Sequence, residues 1–111
     1  MSRYKVVLTE TENGRNDHGN HLRRRAKGMR RAKELGITVI SITEIPGYYY
    51  IYEWIMDDPT DSDIYVFCWW CNAQGFVTTP GPIRVFTEQE ASTLVESYTK
   101  FSEIAKKTGD F

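Results

Sequence analysis

No stretch of this sequence is apolar for long enough to cross a bilayer. The longest unbroken apolar run, residues 64–71, is less than half of the roughly 20 residues a spanning helix needs. The opening residues, Met1-Ser2-Arg3-Tyr4-Lys5, hold no apolar secretory core, so a cytoplasmic protein is expected. Cysteine is scarce, with two in 111 residues, which leaves no disulfide framework to build on. No Ser/Gly/Gln-rich segment, internal repeat or linker interrupts the chain, so residues 1–111 are expected to form a single compact α+β domain. The mass of 12.9 kDa is sufficient for that. A chain of this size exposes about 18,700 Å² unfolded and about 6,300 Å² folded, so roughly two thirds of its surface can be buried without metal or disulfide staples.

What the chain does have is aromatic side chains, at 14%, and an uneven distribution of charge. The formal net charge of −1 hides a split. Residues 1–33 carry ten Lys/Arg against three acids, and the remaining 78 carry four against twelve. Halves this unequal point to a patch that meets something anionic, because ion pairs at a protein's own surface contribute little to folding. The bland alternative is a basic helix that faces the acidic half of its own fold or of a second copy.

Residues 4–9 read as a first strand and 11–20 as a loop containing Gly14, Asn16, Asp17 and Gly19. A helix is expected over 20–35, closed by Gly36, with Leu22, Ala26, Met29 and Ala32 on its apolar side. Residues 37–45 and 48–56 read as strands joined at Pro46-Gly47, and 57–63 as a solvated acidic loop. The run 64–71 reads as a further strand, followed by short ones at 76–79 and 83–86. Thr87-Glu88-Gln89-Glu90 is a capping box, and Ala91, Leu94, Val95, Tyr98, Phe101 and Ala105 then recur at helical spacing. The fold expected is α+β, in the order β-α-β-β-β-(β)-α, with a mainly antiparallel sheet of four to five strands and two helices on one face.

Two helices cover one face of such a sheet, yet both faces of its middle strands are apolar. Tyr48, Tyr50, Tyr52 and Trp54 share one face of the 48–56 strand and are the expected interface residues. That face could serve as a homodimer seam, a site for another protein, or a platform for nucleobases.

Cys68-x-x-Cys71 lies in the expected strand, where residues three apart point to opposite faces, so the two thiols read as small buried hydrophobes. His18-x-x-His21 has no zinc-finger order or spacing with them. The acidic loop lacks the Gly and Glu of a calcium loop. No metal and no cofactor is expected. Residues 46–51, Pro-Gly-Tyr-Tyr-Tyr-Ile, resemble the first half of the GIY-YIG nuclease signature. The second half is absent, since Tyr65-Val66-Phe67 lacks the glycine and no helix with a catalytic arginine follows, so that family is not assigned.

The most chemically loaded stretch is 13–25, where Arg23, Arg24 and Arg25 crowd the start of a helix, the end that favours anions. An anion bound at that terminus would explain the placement. Arg23, Lys27, Arg30 and Arg31 form one exposed ridge, with Arg24 beside it and Arg15 in the preceding loop. These observations favour a small non-enzymatic module that engages nucleic acid or another polyanion through the basic helix. One rival is a small inhibitor or adaptor, of the kind phages and other mobile elements encode, that binds a protein target through the aromatic sheet face or the basic helix. The other is a small enzyme acting on a phosphorylated substrate, with His18 or His21 as a general acid, although no catalytic partner for either is apparent. A homo-oligomer with nucleic acid or an acidic protein surface as partner is expected, and no membrane.

Overall fold

The computed structural model describes residues 2–109. Its elements are β1 (Ser2–Glu10), α1 (Glu12–Asn16), a 3-10 turn (His18–Asn20), α2 (His21–Glu34), β2 (Thr38–Ile45), β3 (Ile51–Asp58), α3 (Asp63–Gln74), β4 (Val77–Thr78), β5 (Ile83–Val85) and α4 (Glu88–Thr108). The sheet is antiparallel and runs β2-β3-β1-β4, with β5 also paired to β1. The α+β class and the five antiparallel strands are as the sequence reading has them. With β3 inserted between β1 and β2, the β1-α2-β2-β3-α3-β4 core is the split β-α-β, or ferredoxin-like, arrangement. That arrangement hosts many unrelated functions and assigns none by itself.

Alternation builds the core. Tyr4, Val6, Leu8 and Glu10 of β1 and Tyr52, Trp54, Met56 and Asp58 of β3 are all buried. The register pairs Val6 with Trp54 and Leu8 with Tyr52, which sets them on one face. α2 and α3 cover that face. Two expected interface residues, Tyr52 and Trp54, are therefore core residues, exposed by only 6% and 3%. The opposite face presents Arg3, Lys5, Val7 and Thr9 beside Ile51, Glu53, Ile55 and Asp57, laced by Arg3–Asp57 at 2.8 Å and Lys5–Glu53 at 3.1 Å. It carries no aromatic ring from β1, β2 or β3, which corrects the expectation of an open aromatic sheet face.

Two helical expectations are also corrected. Residues 64–71 belong to α3, not to a strand. Every residue of that run is apolar, so it satisfies either period. The buried set Ile64, Phe67, Cys68 and Cys71 follows the helical i, i+3, i+4, i+7 pattern. α2 also packs on a face rotated from its most apolar stripe, burying Gly28 and Ala32 and leaving Leu22 55% and Met29 45% exposed. The cause is Trp54. A Cβ on Gly28 would stand 3.0 Å from Trp54 Cη2, so the glycine lets the indole press against the helix backbone.

The expected solvated loop is exposed over residues 59–62, but it is shorter than 57–63, since Asp57 and Asp58 end β3 and Asp63 opens α3. Asp58 is fully buried, and its carboxylate accepts from Thr60 N (3.0 Å), Thr60 Oγ1 (2.9 Å) and Ile64 N (2.9 Å), closing the first turn of α3. Asp61 accepts from the Tyr4 hydroxyl at 2.8 Å.

α4 begins with the expected capping box, Thr87 accepting from Glu90 N at 3.2 Å and Glu90 from Thr87 N at 3.0 Å. None of its 21 residues is buried. The helix leaves the body, which measures 59 × 29 × 22 Å with α4 included. The radius of gyration is 18.0 Å, against about 13 Å for a compact chain of this length. The pair of helices on one sheet face is thus α2 with α3, and not α2 with the last helix.

Asp58→Ala should lower unfolding free energy by about 2 kcal/mol or more, since it strips the α3 cap and leaves Ile64 N–H unpaired in the interior. Asp58→Asn, which keeps one acceptor oxygen, should lose less. Denaturant midpoints read by tryptophan emission check both, and an Ala variant as stable as wild type would contradict the assigned cap.

Candidate functional site

The arginines of α2 divide by direction. Arg24 turns back on the preceding loop, donating to Asp17 O (2.9 Å), Asp17 Oδ2 (2.6 Å) and Gly14 O (3.4 Å), with its guanidinium 4.8 Å from the Phe76 ring. Arg25 donates to Glu44 Oε2 at 2.8 Å. Acids of this chain thus occupy two of the three arginines at the helix start, and an external anion is not needed to explain them. Gly14 makes the fold of that loop possible, because a Cβ there would lie 2.0 Å from the Phe76 carbonyl oxygen.

The other cations face outward. Arg23, Lys27 and Arg30, spaced by four and three residues, share one flank of α2, with Arg31 next to them. Arg23 and Arg30 are exposed, and among the described residues no acid pairs with either. Lys27 Nζ stands 5.9 Å from the Trp70 ring, and Arg31 pairs with Glu34 at 2.8 Å. Arg15 lies elsewhere, its guanidinium 3.9 Å over the ring of exposed Tyr48.

Arg15 instead belongs to a second cluster. Glu10, the last inward-facing residue of β1, is 4% exposed. Its Oε2 lies 2.5 Å from His18 Nδ1. Against a carboxylate, which only accepts, Nδ1 is the donor, and Nε2 of the neutral ring is then the acceptor nitrogen. The His18 ring stacks on His21 at 4.3 Å and 8°, and both rings meet Tyr50, at 4.7 and 5.6 Å. His21 Nδ1 donates to His18 O at 3.0 Å. Glu10, Arg15, His18, Gly47, Tyr48 and Tyr50 line an open hollow of about 270 Å³. Of the four expected interface residues, Tyr48 and Tyr50 are gathered here.

A smaller cavity of about 100 Å³ lies between α2, α3 and the sheet. Its walls include Tyr52, Trp54, Phe67 and Trp70, and Trp54 Nε1 is buried there without a hydrogen-bond partner. Burial, helped by the Glu10 charge, pushes the Tyr52 hydroxyl up to about 12.

Cys68 and Cys71 are buried free thiols, brought by α3 to one helix face. Burial pushes Cys68 up to about 11, and burial together with Cys68 pushes Cys71 up to about 12. Among the described residues no three His, Cys, Asp or Glu side chains gather as a metal site, and no helix is long and apolar enough to cross a membrane. Comparison with known protein families, curated proteins and solved structures finds no match to this chain.

The sequence reading missed Glu10 as the partner of His18. The signal was there: Glu10 continues the Tyr4, Val6, Leu8 alternation, which makes it an acid on a buried strand face.

Both thiols should resist a disulfide reagent at pH 8 in the native protein and react within minutes once it is unfolded, because the thiolate is the reactive form. Folded-state thiol pKa values lie above the unfolded value of about 8.5. Their stabilising contribution is therefore complete below that value and is lost as pH rises towards 11 and 12. Thermal melts between pH 8 and 11 should show falling stability, and Cys71→Ala should flatten part of the fall. Rapid labelling of the native protein at pH 8 would contradict the assigned burial.

Proposed function

We propose that the protein is a non-enzymatic binding module that takes nucleic acid, or another polyanion, along the outer flank of α2. The observation that carries this reading is the pair of exposed guanidiniums of Arg23 and Arg30, with which no acid pairs among the described residues, set with Lys27 and Arg31 on a ridge. Arg24 and Arg25 belong to the internal scaffold instead, which narrows the contact set. Recognition would rest on phosphate contacts, because the open sheet face offers no rings for stacking bases.

If the four ridge residues each neutralise one phosphate, log affinity against log salt should have a slope of about −3.6 on duplex and about −2.8 on single strands. Fluorescence anisotropy on labelled oligonucleotides measures it. Arg23→Glu with Arg30→Glu should abolish binding with an unchanged melt, since neither side chain is buried. A variant that binds as wild type would overturn the reading. Binding to an acidic protein, lost in the same variant and insensitive to nuclease, would favour an inhibitor or adaptor.

A second reading, a small enzyme acting on a phosphate ester, is favoured by one observation, the Glu10–His18 pair beside Arg15. His18 Nε2 would act as the general base, held in that tautomer by Glu10. Hydrolysis of bis(p-nitrophenyl) phosphate or RNA that disappears in both His18→Ala and Glu10→Gln would support it. No turnover by the wild-type protein would remove it.

A further inference from the structure

We infer that α4 is the dimerisation element of this protein, pairing antiparallel with α4 of a second copy about a two-fold axis near Tyr98. The helix has no buried residue, yet it carries a continuous apolar face. Leu94 is 51% exposed, Val95 64%, Tyr98 66%, Phe101 68% and Ile104 60%. Ala91, Leu94, Tyr98, Phe101 and Ala105 are spaced 3, 4, 3, 4, the seam of a helix pair. The helix is poorly suited to stand alone. Six of its 21 residues are Ser or Thr, and Val95, Ile104, Tyr98 and Phe101 add further weak helix formers. Its start is closed by the Thr87–Glu90 capping box and tied to β5 by Arg84–Glu90 at 2.7 Å, which leaves the rest projecting.

Three features select a second copy, in antiparallel orientation, as the occupant. The first is charge. Residues 88–97 hold Glu88, Glu90 and Glu96 and no base, whereas 98–108 hold Lys100, Lys106 and Lys107 against Glu103. Antiparallel pairing sets each acidic half beside a basic one, and parallel pairing sets like beside like. The second is a near-palindrome about Tyr98. Ala91 and Ala105 stand seven residues to either side, and Val95 and Phe101 three. A two-fold axis there faces Ala91 with Ala105, Val95 with Phe101 and Tyr98 with its own copy, leaving Leu94 beside the small Ser102, which is close to the self-complementarity an isologous interface requires. The third is area. The chain exposes 7394 Å². That exceeds the about 6,300 Å² of a compact monomer of its mass by about 1,100 Å². A stable interface takes about 800 Å² per partner.

Sedimentation equilibrium between about 10 and 100 µM should give twice the 12.9 kDa chain mass. Phe101→Glu should weaken association at least tenfold, while far-ultraviolet and melting signals of the α/β body persist. A nitroxide on Gln89→Cys, selective because both native thiols are buried, reports the orientation. Antiparallel pairing about Tyr98 sets the two labels about 27 Å apart along the axis. Parallel pairing leaves only the about 10 Å between helix axes. A wild-type monomer at 100 µM, a Phe101→Glu dimer of undiminished affinity, or the short label distance would each overturn the inference. None of these outcomes depends on the α2 ridge.

Discussion

Trp54 sets the spacing of the whole body. Its indole lies between α2 and α3, against the backbone of Gly28 on one helix and 5.6 Å from the Phe67 ring on the other. A bulky ring at the middle of β3 forces the helix above it to present its smallest residue, and α2 rotates until Gly28 and Ala32 face the sheet. Leu22 and Met29 are left in water as a result. The rotation also decides which cations turn inward. Arg24 and Arg25 swing to the sheet side, within reach of Asp17 and Glu44, while Arg23 and Arg30 swing to the far flank. A residue with no charge thus sorts the charges of the helix above it.

The two central strands share a further device. Each ends its inward-facing series on an acid, Glu10 in β1 and Asp58 in β3, and each acid is buried. Because the strands are antiparallel, the two carboxylates sit at opposite ends of the sheet. A buried carboxylate without donors is costly, so each recruits them. Asp58 takes a backbone N–H of α3 and both donors of Thr60, and so fixes where that helix starts. Glu10 takes His18, and so fixes the loop before α2. The helices that cover the core are thereby positioned by polar atoms at its two ends as well as by apolar packing at its centre.

Local signals in the sequence were strong wherever they came from backbone chemistry. The Thr87–Glu90 capping box, Gly36 after α2 and the alternation of β1 all locate their elements. The run 64–71 failed because uniform apolarity erases the difference between a period of two and one of 3.6. What settles it lies six residues upstream of Ile64, in a carboxylate whose burial cannot be read locally. The tyrosine face of residues 48–56 was seen, but its fate was not. With 64–71 counted as a strand, α2 and the last helix are the two expected to cover one face, and the apolar residues of that strand add to a second face for which no helix remains. Once that segment supplies the second helix, Tyr52 and Trp54 become the core. Of the Glu10–His18 pair only the acid is legible, from the β1 alternation; its partner is not, because His18 lies in a segment whose short helix and 3-10 turn carry no hydrophobic period.

The distribution of acids bears on why the α2 ridge is read as facing a partner. The later part of the chain is acidic enough to neutralise the first and does so in part, but among the described residues none of its ion pairs reaches Arg23 or Arg30. Asp57 holds Arg3, Glu53 holds Lys5, Glu90 holds Arg84, Asp58 caps α3, and Glu44 holds the inward Arg25. On the outer flank of α2 one pair forms, Arg31–Glu34, an exposed i,i+3 contact of the kind worth a few tenths of a kcal/mol. A fold that used its basic helix to balance its own acidic half would bring those acids to Arg23 and Arg30. Here the sheet lies between them: Asp57 and Glu53 project from the face opposite the one α2 covers. Arg3, Lys5, Arg25 and Arg31 are thus balanced by acids from the rest of the chain, and the excess of positive charge is confined to the flank that carries Arg23 and Arg30, with which no acid pairs among the described residues.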